Sequence, residues 1–346
     1  MFDKLRPFIF KFSPEVAHSL AINALKLNAI PKKKIENQSI LKTEIFNKTL
    51  ENPIGVAAGF DKNAEVYNSL FNLGFGFVEV GTITPEPQYG NPKPRVFRLE
   101  EDEALINRLG FNNSGSNEIY NKIEKNKSNG FLGINIGPNK TSVNRVEDYI
   151  KCLNKFYNVA DYITINISSP NTKNLRNFHK EEEMNHLLSK IKEEKDKLKP
   201  DLPIAVKISP DIENKSTEDI CDILVSHSID LLIISNTTEK NREVLKNINK
   251  LEKGGLSGKP IEKRSNELVE LFYKNLKNKI KIIGVGGVSS GKDAYEKIIR
   301  GASLVQLYTG MVYRGPDIAN KISKELIEIL TKEGVKNISQ VVGSKN

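Results

Sequence analysis

From Asn52 onward, short runs of aliphatic and β-branched residues alternate with longer stretches in which apolar positions recur every three or four residues among Lys and Glu. The short runs fit buried strands and the periodic stretches fit amphipathic helices. Eight strands are predicted, at 53–59, 76–82, 131–136, 161–167, 203–209, 230–236, 281–287 and 303–308. Helices fit between and after them at 63–73, 114–127, 145–159, 181–198, 216–228, 262–277, 291–300 and 316–333. Such alternation marks a parallel sheet covered by helices. Eight repeats over residues 52–310 match the ~250 residues of a (β/α)8 barrel. The expected fold is therefore an α/β TIM barrel over residues 37–340, preceded by a two-helix extension over residues 1–36. Residues 40–51 read as a small hairpin, 240–253 as a solvated charged connection and 334–346 as a frayed tail.

In the extension, Phe2, Leu5, Ile9 and Phe12 fall on one side of a short helix that Pro7 can bend. Ser13-Pro14-Glu15 then supplies a cap, a first-turn proline and an acid suited to the helix dipole. The second helix carries the stripe Val16, Ala17, Leu20, Ala21, Ala24 and Leu25, and Pro31 with Lys32-Lys33-Lys34 closes it. The whole chain has net charge +9, and residues 1–34 hold seven basic and two acidic residues, or +5 of it. A nucleic-acid binder carries its basic stripe on the folded body. An excess confined to a short amphipathic segment suggests an anionic membrane surface and no nucleic acid. Two readings of the stripes stay open: the helices lie in a membrane interface, or both stripes pack on the barrel and the lysines are merely solvated.

Lys11, Glu15 and His18 interrupt the segment well before the ~18 apolar residues needed to cross a bilayer. It also lacks a small-residue cleavage site and the Arg/Ser richness of a transit peptide. The expected setting is a peripheral protein on the cytoplasmic face of a bacterial membrane. Cys152 and Cys221, with no CxxC and no His cluster, give neither a disulfide framework nor a zinc site.

Strand interiors carry the first chemical clue, because side chains alternate between the helix-facing and lumen-facing sides. Tyr162, Thr164 and Asn166 oppose Ile163, Ile165 and Ile167; Asn135 opposes Ile134 and Ile136; Lys207 opposes Val206 and Ile208. A lysine inside a barrel requires an anionic or electron-rich partner. Glu79, between Val78 and Val80, is one candidate. A ligand is the other, favoured because these polar residues sit near strand C-terminal ends, where barrel sites are built.

The loops after those ends hold AAGFDKN (57–63), VGTITPEPQYGNPKPRVFRL (80–99), INRLGFNN (106–113), INIG (134–137), NISSPNT (166–172), VKISPD (206–211), ISNTT (234–238), GGLSGKP (254–260), GVGGVSSG (284–291) and QLYTGMVYRGP (306–316). The excursion after the second strand, about 30 residues, is long enough to argue for function. Glycine-rich turns after the seventh and eighth strands are where barrels hold phosphate, through backbone N–H groups and helix N-termini. Singly these motifs are weak. In this order, over residues 1–320, the chain resembles the class 2, quinone-dependent, membrane-associated dihydroorotate dehydrogenases, which are FMN enzymes oxidising dihydroorotate to orotate in pyrimidine synthesis.

Carried over by motif, the resemblance implies FMN against Ala58, Gly59, Thr82, Asn135, Asn166, Lys207, Ser235, Gly258, Gly287, Tyr308 and Thr309. It implies dihydroorotate against Lys62, Asn107, Arg108, Leu109, Gly110, Phe111, Asn166, Asn171, Asn236 and Thr237. Amides suit the ring N–H and C=O groups, and a lysine balances a carboxylate. Ser235 stands where the family usually has Thr, and the hydroxyl is retained. Ser169 stands where the family places its base, Ser in class 2 and Cys in class 1. Lys207 would stabilise charge on the reduced flavin. His18, Arg98 and Tyr308 match the quinone passage, with ubiquinone or menaquinone as acceptor, in a monomer carrying one FMN. His179, His186 and His227 match nothing in the pattern and read as structural.

Three rivals are defined by different observations. A class 1 enzyme using fumarate or NAD would place Cys in the NISSPNT loop and lack the amphipathic extension. Another phosphate-binding flavin barrel would not need the INRLGF and NISSPNT loops together. A basic nucleic-acid-binding protein would be colourless, with affinity falling steeply in salt.

Overall fold

The eight predicted strands close on themselves in the computed structural model, which describes residues 2–27 and 38–346. In chain order the elements begin with α1 (Phe2–Ile9), α2 (Pro14–Lys26) and a hairpin of β1 (Thr43–Ile45) and β2 (Lys48–Leu50). Next come β3 (Ile54–Val56), α3 (Tyr67–Asn72), β4 (Phe77–Ile83) and an excursion holding β5 (Val96–Leu99) and β6 (Ala104–Asn107). The alternation resumes with α4 (Ser116–Lys125), β7 (Phe131–Ile136), α5 (Arg145–Phe156), β8 (Tyr162–Asn166), α6 (Glu181–Leu198), β9 (Ile204–Ile208) and α7 (Thr217–Ser226). It ends with β10 (Leu231–Ile234), β11 (Gly255–Gly258), α8 (Glu262–Leu276), β12 (Lys281–Val285), α9 (Gly291–Ile299), β13 (Ala302–Leu307), α10 (Thr309–Arg314) and α11 (Ile318–Lys332). The barrel runs β3-β4-β7-β8-β9-β10-β12-β13, every neighbouring pair parallel, with β13 closing on β3.

Two apolar layers follow from the period of two. Helix-facing side chains such as Ile134, Ile163, Ile165, Val206 and Ile208 join the helices in one continuous core. Lumen-facing Phe77, Phe131, Tyr162, Ile233, Ile283 and Leu304 fill the lower barrel, and Ile45 and Leu50 of the hairpin pack against them from below. The hairpin thus plugs the closed end, which leaves the C-terminal strand ends as the open one. Truncating a fully buried aromatic such as Phe77 costs about 3–5 kcal/mol.

Three features depart from expectation. The long excursion is not irregular: β5 and β6 form an antiparallel pair that β11 joins, in the order β11-β6-β5. The 240–253 connection is partly anchored, since Leu245 is buried with Leu99, Ile106 and Leu256, and Arg242 donates to the Lys250 and Glu252 carbonyls at 3.2 and 2.7 Å. The 334–346 segment is docked as well: Ile338 and Val341 are buried, and Gly343 N–H donates to the Ile298 carbonyl at 3.0 Å. Val335, Ile338, Val341 and Val342 all pack against the main core, and their helical spacing is the signal for that docking.

The extension packs only partly through the predicted stripes: of these, Leu25 is buried, and the other anchors lie outside them. Arg6 donates to the Tyr313 carbonyl at 3.1 Å, Phe10 meets the Tyr313 ring edge-on at 5.6 Å, and α2 buries Ile22 and Leu25. Leu5, Phe8, Phe12, Val16 and Leu20 are instead exposed. Ser13 caps α2 as expected, accepting from Val16 N–H at 3.4 Å. The closing Pro31 and Lys32–Lys34 lie outside the described residues. Among the described residues no helix is long and apolar enough to cross a membrane.

Candidate active site

A cavity of about 1110 Å³, counted to its mouth, opens at the C-terminal strand ends. Its floor is a hydrogen-bonded layer built by the lumen-facing positions. Glu79, fully buried, accepts from Asn135 Nδ2 (2.8 Å), Tyr162 OH (3.0 Å), Thr164 Oγ1 (3.2 Å) and Gln306 Nε2 (3.0 Å). With its amide N–H committed to Glu79, Asn135 turns Oδ1 upward to accept from Thr82 Oγ1 at 2.6 Å and Asn166 Nδ2 at 3.1 Å. Glu79 is thus satisfied by neutral donors. Lys207, 5% exposed, has no hydrogen bond or ion pair among the described residues; burial draws its pKa down against the opposing charge of Glu79. A buried ammonium lining a cavity with no direct partner, its nearest compensating charge already bonded to four neutral donors, fits an electron-rich ligand better than it fits a core.

Backbone forms one wall. Gly59 has φ +104°, and an added Cβ there would meet nothing nearer than the Tyr308 ring at 3.9 Å, so main chain faces open cavity. At the rim, Gly286 and Gly287 take φ of +116° and +77°, and a Cβ on Gly287 would strike Glu262 at 2.4 Å. Only glycine lets the chain fold back there to turn its backbone toward a ligand. Thr309 and Gly310 from the next loop, and Ser257 and Gly258 from β11, complete that end; Ser257 and Thr309 share a hydrogen bond of 2.8 Å.

The opposite end is an amide ring. Asn171 Nδ2 donates to Asn107 Oδ1 at 3.1 Å, Asn236 Nδ2 to Ser168 Oγ at 3.0 Å, and Thr237 N–H to Asn236 Oδ1 at 2.8 Å. Thr237 Oγ1 and Asn112 Oδ1 are buried without partners. Ser169, 6% exposed, accepts from Asn171 N–H at 3.2 Å on its Oγ. Lys62, Leu109, Gly110 and Phe111 line the same end. Burial and then the Arg95 charge bring the Lys62 pKa down to about 8.

A second cavity of about 1800 Å³ lies under α2. It shares Lys62, Val96, Leu109, Asn112 and Tyr308 with the first, so the two adjoin across a common wall. His18 meets Phe60 edge-on at 5.2 Å, and Phe60 meets Tyr308 at 5.9 Å, an aromatic file from helix to cavity. Burial and Lys62 lower the His18 pKa to about 3, keeping the ring neutral. From α2, Val16, Leu20 and Ile22 line it together with Ser19, Asn23 and Lys26.

Most residues singled out in the sequence meet in these cavities: Ala58, Gly59, Thr82, Asn166, Lys207, Ser235, Gly258, Gly287, Tyr308 and Thr309 line the first with the substrate set, and His18 lines the second. Three do not. Asn135 belongs to the floor layer, one hydrogen bond behind the lining residues Thr82 and Asn166. Arg108 turns away to pair with Glu252 at 2.6 Å and to stack on Phe97 at 4.5 Å. Arg98 holds the Phe10 and Phe12 carbonyls and stacks on Phe10, so it anchors the extension and does not line the second cavity.

Sequence reading missed several residues that shape the cavities. Arg95 pairs with Glu15 at 2.9 Å across the second cavity. Arg176 ties the Ser168 carbonyl (3.1 Å), the Thr237 carbonyl (3.0 Å) and Asp211 (2.8 Å) together, with His179 receiving Ser209 N–H on Nε2 at 3.0 Å beside it. Arg95, inside the long matched run, and Asp211, at the end of VKISPD, had a signal in the sequence; Arg176 had none.

A closed parallel barrel with a glycine-rimmed, lysine-floored cavity at its C-terminal mouth defines a ligand-binding TIM-barrel protein of the enzyme type. The dihydroorotate dehydrogenase family model matches residues 40–330, and the chain belongs to that family. Similar proteins include the dihydroorotate dehydrogenase (quinone) of Bartonella henselae, 46% identical and covering 96% of this chain and 93% of that protein. The mouse mitochondrial dihydroorotate dehydrogenase (quinone) is 43% identical, covering 95% of this chain and 86% of its own. The crystal structure of DHODH from Eimeria tenella in complex with ferulenol superposes with a TM-score of 0.92 at 38% identity, over 96% of this chain and 95% of that one.

Proposed function

We propose that the protein oxidises (S)-dihydroorotate to orotate with one bound FMN and delivers the electrons to a membrane quinone, ubiquinone or menaquinone, in pyrimidine biosynthesis. The observation that carries this reading is an amide-ringed cavity containing Ser169 that adjoins, across Lys62 and Tyr308, a second cavity lined by α2. Relatives at 43–46% identity named dihydroorotate dehydrogenase (quinone) support the same reaction and acceptor.

The residues present fit a flavin mononucleotide: unpartnered Lys207 for the electron-rich edge of the ring, backbone at Ala58–Gly59 for its flat face, and the Gly286–Gly287 rim for its phosphate. FMN, when bound, supplies the two-electron acceptor for the hydride leaving C6 of the substrate. Asn107, Asn166, Asn171, Asn236 and Thr237 orient the substrate ring, and the Thr237 hydroxyl gains the partner it lacks. Lys62 holds the carboxylate. Ser169 Oγ takes the C5 proton and passes its own hydroxyl proton to water, while Asn171 N–H steadies the oxygen as charge builds on it. We assign residues 2–27 the role of membrane-facing quinone entry on the cytoplasmic face of a bacterial membrane, with His18 and Tyr308 along the path and the barrel acting as a monomer.

The test is the anaerobic visible spectrum before and after dihydroorotate is added. The expected result is a yellow protein that bleaches. A yellow protein that keeps its colour would move the substrate elsewhere, and one that takes up no flavin would sink the reading.

A further inference from the structure

The Gly286–Gly287 rim receives no basic side chain from within the cavity, yet a fully buried ammonium stands behind it. Lys297, on α9, donates from Nζ to Ser265 Oγ at 2.9 Å and to Asn266 Oδ1 at 2.8 Å. Ser265 Oγ in turn donates to the Val285 carbonyl at 2.6 Å, the same carbonyl that accepts Ser235 N–H at 3.2 Å. A Cβ added at Gly286 would meet Ile261 at 2.9 Å and Ser265 Cβ at 3.3 Å, one at Gly287 would meet Glu262 at 2.4 Å, and one at Gly284 would meet the Lys297 side chain at 3.0 Å. Ser265 is therefore part of the wall behind the rim, beside Ile261 and Glu262, and Lys297 lies behind Ser265 and Gly284.

No carboxylate among the described residues pairs with Lys297. Glu262 and Asp293 favour its charged form from α8 and α9, while Arg300 and Lys259 oppose it. Glu262 is itself paired with Lys259 at 2.5 Å, and Asp293 is engaged by Ser289 N–H and Oγ at 2.9 Å each. Burial draws the Lys297 pKa down to about 7. An ammonium walled in by neutral partners is destabilising unless an anion on the far side of the wall compensates it.

We propose that Lys297 is a positioning residue and counter-charge for a phosphate monoester seated on the Gly286–Gly287 rim, acting through Ser265 and the Val285 carbonyl and not by contact. The inference rests on reading that rim as the seat of the FMN phosphate. Its effect is to fix the end of β12, and with it Ser235, while placing positive charge behind a rim otherwise made of backbone.

The test is to titrate FMN-loaded protein with riboflavin, which has the same ring without the phosphate, and to measure displaced FMN. The ratio of the two affinities isolates the phosphate contribution. Lys297→Met is expected to lower the preference for FMN by about tenfold or more, and Ser265→Ala to lower it less. Packing damage alone weakens both flavins alike and leaves the ratio intact. An unchanged ratio in folded Lys297→Met overturns the proposal, and if that variant does not fold, an unchanged ratio in Ser265→Ala does so. A native protein with no preference for FMN over riboflavin removes the rim as phosphate seat and fails the underlying reading first.

Discussion

Lys62 stands where the two cavities meet, and its pKa of about 8 gives the substrate end a pH dependence with a definite sign. The charged form holds a carboxylate, so the KM for dihydroorotate should stay level below that pH and climb about tenfold per unit above it. Lys62→Met should raise KM about ten- to a hundredfold, the worth of a charge-assisted hydrogen bond, and flatten that rise. Steady-state KM measured against pH in both proteins checks it; a rise that persists in the variant would assign the titration elsewhere. Ser169→Ala should slow flavin reduction by dihydroorotate about 10²- to 10⁴-fold in an anaerobic stopped-flow mixing experiment, with substrate affinity little changed. Residues such as Lys207 and Asn166 were legible because alternation along a strand determines which way a side chain points. Arg108 and Arg98 were not, because their orientation is decided by Glu252 and by the Phe10 and Phe12 carbonyls, each distant in sequence.

Elements divide the same way. Each barrel strand is a short apolar run whose period declares it, and each barrel helix carries its own stripe, so local pattern sufficed for both. The β5-β6-β11 sheet left no such mark: β11 reads Gly-Leu-Ser-Gly, and its pairing to β6 joins residues about 150 apart in the chain. That sheet matters because β5 carries Arg98, the clamp on the turn between α1 and α2. Arg98→Ala should free that turn. The expected outcome is a raised KM for long-chain quinone with flavin reduction by dihydroorotate unchanged, read by measuring the two half-reactions separately. Removing residues 1–30 should extend this to loss of quinone turnover. Because Ile22 and Leu25 are buried in the core, the deletion also costs stability, and the Arg98 variant separates that loss from loss of the passage. Equal decline of both half-reactions in Arg98→Ala would make the extension purely structural.

At the scale of the whole molecule, two asymmetries coincide. Six large apolar side chains, Leu5, Phe8, Phe12, Val16, Leu20 and Leu27, are exposed along residues 2–27 of the extension, and the first 34 residues hold +5 of the chain's +9. Each half-exposed apolar group contributes roughly 1 kcal/mol on entering an interface, and each lysine near an anionic surface contributes about as much. The two sums are comparable, so neither alone anchors the protein, as with single lipid chains that need a second signal. Binding should therefore require both. In co-sedimentation with vesicles, the protein should bind phosphatidylglycerol-rich membranes at low salt and release from them as salt shortens the screening length to less than ~10 Å. Pure phosphatidylcholine should retain little. Phe8→Ser with Phe12→Ser should abolish binding even at low salt and should leave reduction of a short, water-soluble quinone intact, since neither side chain lines either cavity. Equal binding to neutral and anionic vesicles would assign the attachment to apolar burial alone, and the basic excess of the extension would then have no part in it.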